Sequence, residues 1–179
     1  MVKTEKTVIL AFSFGAPKNI RPNRLIAHRA TYLSLSGNTD IFTQKDIPLD
    51  QMNPIFAENV SAKKDYFSTL DVVQSFVNWI IISSIRGEKE IWKECIMVAA
   101  PQHQWRCCRD LKKTLKEHGL TMEIFVDDGL EFEDMYDKYS HQSWTRSKWK
   151  WWLREIPLRL LPWWLYKKMC KQKEVKKNG

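Results

Sequence analysis

Glycine is scarce, six residues in 179, and the first strand-to-helix turn of the chain holds only Gly15. A dinucleotide fold wants several glycines there and an acid for the ribose about 20 residues later. Asp40 is the nearest acid, so the methyltransferase and dinucleotide patterns are incomplete. The four cysteines, Cys95, Cys107, Cys108 and Cys170, show no paired spacing. That excludes a zinc framework and a disulfide scaffold, and points to reduced, buried thiols in a cytoplasmic protein. No apolar run approaches the ~20 residues of a membrane-crossing helix. The apolar run from Val8 to Phe14 is too short for a signal peptide. Glu131, Glu133, Asp134 and Asp137 lack calcium-loop spacing and read as a solvated loop, so no metal is expected. No repeat or low-complexity tract precedes the C-terminal tail.

What is present is enough for one folded domain. Hydrophobic residues make up 44% of the chain, too many for a disordered sequence. Charge is unevenly placed. Residues 144–179 hold eleven Lys or Arg against Glu155 and Glu174, while the whole chain carries +8. The segment before residue 144 is therefore nearly neutral, which sets a 1–143 domain apart from a basic 144–179 tail.

Along the chain, residues 7–14 are β-branched and aromatic without charge, as in a central strand. Residues 21–36 read as a helix and 40–43 as a short strand. Residues 45–59, with Pro48 and Pro54, read as an irregular loop with room for one helical turn. Ser68 caps a helix over 68–85, with Asp71 in its first turn. Residues 96–100 form a buried strand, ended by Pro101. A helix follows, with Trp105, Cys108, Leu111 and Leu115 on its apolar face, and residues 122–126 make a further strand. This alternation predicts an α/β fold: a Rossmann-like, open, mostly parallel sheet of four to five strands with helices on both faces, plus a helical C-terminal tail.

In such a sheet, ligands bind beyond the carboxyl ends of the strands. Ser13, Gly15, Arg24, Ser68, Thr69, His103 and Arg106 are all expected on that rim. Arginines suit phosphate or carboxylate, and helix starts near Ser68 and His103 add N–H donors. The expected ligand is a small phosphorylated or nucleotide-like molecule. Catalysis would need His103 as acid or base, with Asp71 or Asp127–Asp128 orienting water. A hydrolase or transferase and a non-catalytic module with a vestigial pocket both remain open. Cys107 and Cys108 lie inside a helix and read as packing residues.

These features resemble the bacterial YdcF, SanA and ElyC family, a domain of unknown function, over roughly residues 7–126. The resemblance rests on Gly15, Arg24–Leu25, Ser68–Thr69 with Asp71, and His103-Gln-Trp-Arg106. The chain departs from the family in its single turn glycine, in Thr43–Gln44 where Gly-Gly is usual, and in having only Glu58 as a following acid. The resemblance implies a Rossmann-like domain, a link to cell-envelope physiology with an envelope precursor as one ligand class, and S-adenosylmethionine as another candidate.

Six of the nine tryptophans fall in residues 144–164, interleaved with Lys and Arg. Trp149, Trp151, Trp152, Trp163, Trp164, Lys167 and Lys168 are expected to meet an anionic membrane surface, placing the protein on the membrane's inner face. The competing expectation is that the tryptophans cover the domain. Single-stranded nucleic acid also suits aromatic and basic residues, but no nucleic-acid fold accompanies them.

Overall fold

The structure is a computed structural model that describes residues 4–35, 37–60, 67–86 and 90–172. Ser36, Gly87, Glu88 and the basic residues from Lys173 onward lie outside the described residues. Five parallel strands are ordered β3-β2-β1-β4-β5: β1 (Thr4–Ala11), β2 (Thr39–Thr43), β3 (Ile55–Phe56), β4 (Glu90–Val98) and β5 (Glu123–Val126). The helices are α1 (Arg21–Ser34), α2 (Ala57–Val60), α3 (Thr69–Ile85), α4 (Pro101–Glu117), α5 (Lys148–Leu160) and α6 (Trp163–Gln172). This is the expected open α/β sheet with helices around it.

β1 shows why its unbroken apolar run is needed. Alternate side chains of a strand point to opposite faces, and both faces of β1 are covered. Val8, Leu10 and Phe12 join α3 and α4 in one core, which includes Val73, Phe76, Cys107 and Leu111. Ile9, Ala11 and Phe14 join α1 in the other, with Ile26, Ala27 and Ala30. All of these β1 and turn residues are at most 1% exposed.

Three local expectations change. The irregular 45–59 segment, whose one helical turn is α2, also contributes edge strand β3. β4 starts at Glu90 and carries Trp92 into the core, where Trp92 packs on Trp79 with ring centroids 4.5 Å apart. On α4 the buried face is shifted: Cys107 is fully buried, Cys108 only partly, and Trp105 is 46% exposed. The buried residues of α4 also include Gln102, His103, Arg106, Asp110 and Thr114. Such polar residues are not core by pattern. They are buried because α5 and α6 lie over them.

The proposed boundary at residue 143 is therefore not a structural one. Trp151 of α5 is 2% exposed and belongs to the core that α1 shares with β1. Glu155 of α5 is 1% exposed and Tyr166 of α6 is 2% exposed. Glu155 lies 3.4 Å from Arg106 Nε and 3.3 Å from Arg159 Nε. The Tyr166 hydroxyl donates to Asp110 Oδ2 at 2.6 Å. Arg109 holds the other oxygen of Asp110 at 2.8 Å and stacks 4.4 Å from the Tyr166 ring centroid. The C-terminal helices form an arm latched to α4 by buried charges.

Candidate functional site

The strand order reverses at β1. From β1 the chain moves to β2 and β3 on one side, then returns to β4 on the other. In open parallel sheets, ligands bind in the crevice outside the carboxyl ends at such a switch point. A cavity of ≈ 20 Å³ lies there, lined by residues after β1 (Ser13, Gly15), after β2 (Gln44), at the start of α3 (Thr69) and on α4 (His103, Arg106). The arm and the loop before it close it with Gln142, Trp144, Thr145, Trp151 and Arg154. A space of this size holds about one water-sized group.

His103 lines it and is 6% exposed. Its ring lies 5.3 Å from Trp151, 6.2 Å from Phe14 and 6.3 Å from Phe12, centroid to centroid. Its Nε2 is 2.9 Å from Thr69 Oγ1 and 2.9 Å from Arg106 Nη2. A guanidinium can only donate, so Nε2 accepts and the proton of the neutral imidazole resides on Nδ1. That Nδ1 is buried with no partner. Burial, followed by the charges of Arg106, Arg154 and Arg159, holds the His103 pKa well below its ordinary value.

The electrostatics of the rim are cationic. Burial, the largest single influence, would lower the Arg106 pKa, but Glu155 together with Tyr166, Cys107 and Asp110 outweighs it and the net shift is upward. Glu155 is shared with Arg159, whose Nη2 also donates to the Gln102 carbonyl at 2.9 Å. Arg154 differs from both. Its guanidinium stacks 3.9 Å from the Trp144 ring centroid and has no carboxylate partner among the described residues. Three guanidiniums thus surround His103 against one carboxylate. Nδ1 of His103, Nε1 of Trp151 and Nε of Arg106 are buried donors without a hydrogen-bond acceptor, all on residues lining the cavity. The 3.4 Å approach of Arg106 Nε to Glu155 is an ion pair without good hydrogen-bond alignment.

Of the sequence-derived residues, Ser13, Gly15, Thr69, His103 and Arg106 are brought together. Ser13 donates to Gln44 Oε1 at 3.0 Å, so its hydroxyl is already engaged. Arg24 does not line the cavity and is exposed on α1. The residue that α1 directs to the turn is Asn23, fully buried, which accepts from Phe14 N at 2.9 Å and donates to the Gly15 carbonyl at 3.1 Å. Helical rotation between adjacent residues separates the two. Ser68 also stays outside the cavity, because its side chain is used in a capping box with Asp71. Its Oγ lies 2.6 Å from Asp71 Oδ2, which leaves Asp71 to the helix start and not to water activation. Arg154, Gln44 and the arm residues were missed at the rim. The only signal for Arg154 in the sequence is the basic character of the tail, which does not point to the rim.

The nucleotide expectation is weakened at the turn after β1. The N-terminus of α1 is already occupied, with Arg21 N donating to Asp137 Oδ2 at 3.1 Å. Gly15, at φ +95°, faces Ser140 Oγ and Thr145 Oγ1, which lie 2.6 and 2.7 Å from where its Cβ would stand. Loop hydroxyls fill the space where a pyrophosphate would approach. Asp40 sits early in β2, bonded by Trp92 Nε1 at 2.8 Å, too far from the carboxyl rim to hold a ribose. Asp127 is held by Arg29 at 2.6 Å and is likewise unavailable for catalysis.

The tail residues divide. Trp151 is buried, Trp152 stacks on Arg159 and Trp163 lies under Arg109 and Lys113. Lys167 pairs with Glu117 at 2.6 Å. Trp149, Trp164 and Lys168 remain exposed. Among the described residues no helix is long and apolar enough to cross a membrane, and none of their acidic, His or Cys clusters could hold a metal ion. Set against family models, curated proteins and solved structures, the chain matches none.

Proposed function

We propose that this chain is a binding protein for a small phosphorylated metabolite, whose oxyanion is held at the switch point by Arg154, Thr69 and the N–H groups around His103. The carrying observation is the imbalance of the cavity: buried donors without acceptors, and an unpaired guanidinium stacked on Trp144. A stacked guanidinium is preorganised for bidentate contact with phosphate. Arg106, paired to Glu155, serves to set the His103 tautomer. The cavity admits oxygens of the anionic group, and the rest of the metabolite lies outside, toward Arg154.

A hydrolase reading draws on the 2.9 Å contact between Thr69 and His103, which resembles a nucleophile and its base. Two features count against it. The Nε2 lone pair already receives an Arg106 N–H, and no carboxylate orients Nδ1. Binding without proton transfer fits the geometry better.

Thermal unfolding with inorganic phosphate, pyrophosphate, sugar phosphates and nucleotides tests this. A ligand at about 100 times its Kd stabilises by about 2.7 kcal/mol, or roughly 5–10 °C for a chain of this size. Arg154→Ala should remove that shift. The proposal is refuted if no phosphorylated compound stabilises the parent, or if Arg154→Ala responds like it.

A further inference from the structure

The arm has a second face that the cavity does not use. On α5, Trp149, Leu153, Ile156 and Leu160 are 72, 59, 52 and 79% exposed. Their spacings of four, three and four residues place them in one stripe along the helix. Trp151 and Glu155, which close the cavity and bind Arg106, project from the opposite side. On α6, Trp164 is 66% exposed. Soluble helices normally put polar residues on their outer face, so this stripe calls for a partner.

The surrounding charge identifies the partner. Lys150 and Lys168 are exposed beside the apolar residues, while Lys148, also exposed, lies 5.0 Å from the Phe132 ring centroid of the domain. The only acid of α5 and α6, Glu155, is turned inward and buried. An apolar stripe with tryptophan at one end, flanked by lysines and free of carboxylates, matches the interface of an anionic bilayer, where indole rings sit at headgroup depth. A protein partner would need its own acids set against these lysines, whereas an anionic bilayer supplies negative charge all along the stripe. Nucleic acid would leave the leucine and isoleucine side chains unused.

We infer that the outer face of α5 and α6 docks on anionic lipid surfaces, in the interface plane, with Trp149, Leu153, Ile156 and Leu160 inserted and Lys150 and Lys168 at the headgroups. This is narrower than the expectation from the tail sequence, because Trp151, Trp163 and Lys167 are committed to the domain itself. It is also independent of the phosphate proposal, since the two faces of α5 do not share side chains.

The test is co-flotation of the full chain with vesicles of phosphatidylcholine alone and of phosphatidylcholine mixed with phosphatidylglycerol. The full chain should float with the mixed vesicles and far less with the neutral ones. Replacing two exposed lysines (Lys150→Ala with Lys168→Ala) should weaken partition into the mixed vesicles roughly thirtyfold, at about one tenfold step per 1.4 kcal/mol. Leu153→Ser with Leu160→Ser should abolish it while the thermal midpoint stays near the parent's, since both residues are exposed. Equal flotation of the leucine variant and the parent overturns the inference. So does an absence of flotation by the parent, including the case in which it instead shifts a random single-stranded oligonucleotide.

Discussion

Glu155→Ala asks most directly whether the C-terminal arm is part of the fold. Glu155 is the one carboxylate between Arg106 and Arg159, and it is 1% exposed while Arg106 is 5% exposed. Removing it leaves a buried guanidinium without compensation. Breaking one partner of a buried pair costs about 3–5 kcal/mol, a large share of the ~5–15 kcal/mol that holds a domain together. At ~2–4 °C per kcal/mol for this size, the thermal midpoint should fall by roughly 6–20 °C. Urea unfolding should show a lower midpoint at an unchanged slope. Arg159→Ala removes the partly exposed partner and should cost about 1 kcal/mol or less. The double variant Arg106→Met with Glu155→Leu removes both charges and should recover most of the loss, since a well-packed apolar pair can replace a buried ion pair. A Glu155→Ala cost below about 1 kcal/mol would show that the arm does not bury this carboxylate in solution, and the closed cavity would fall with it.

Two further outcomes follow from the same contacts. Because burial and neighbouring guanidiniums lower the His103 pKa in the folded state, its contribution is complete above its unfolded value of about 6.5 and is lost as pH falls below it, by up to ~1.4 kcal/mol per unit. Asp46 and Asp110 are raised, chiefly by burial, and act in the opposite direction. The difference in stability between the parent and His103→Asn, measured by urea unfolding from about pH 7.5 to 5, isolates the histidine; a difference that does not change with pH refutes the buried, neutral assignment. Gly15→Ala should destabilise by about 3 kcal/mol, from the positive φ and from contact with Ser140 and Thr145 hydroxyls. Circular-dichroism melting reads it, and a loss below about 1 kcal/mol would contradict that packing.

Periodicity and punctuation make the scaffold legible in the sequence. An uncharged β-branched run has to be a doubly covered strand, Ser68 with Asp71 has to start a helix, and Pro101 has to end β4 and open α4. Alternating strands and helices then imply a parallel sheet whose ligand edge lies at its carboxyl ends. Ser13, Gly15, Thr69, His103 and Arg106 lie far apart along the chain, but each sits just after a strand or at a helix start, which puts them on that one edge. Which member of an adjacent pair faces inward was beyond that reading: Asn23 and not Arg24, Cys107 and not Cys108, Thr69 and not Ser68. One residue turns a helix by about 100°, and pattern alone does not fix the phase where polar residues are buried.

The arm is where tertiary structure decided. Trp, Lys and Arg interleaved in a tail suit by composition either a membrane surface or packing on the domain. Only the fold places Glu155 against Arg106 and Tyr166 against Asp110, committing one side of α5 to the domain and leaving the other to solvent. A buried charge needs its partner at hydrogen-bond distance, and that partner lies some 50 residues away along the chain. Local sequence cannot announce such a pairing, because the energy that selects it arises only when both groups leave water together.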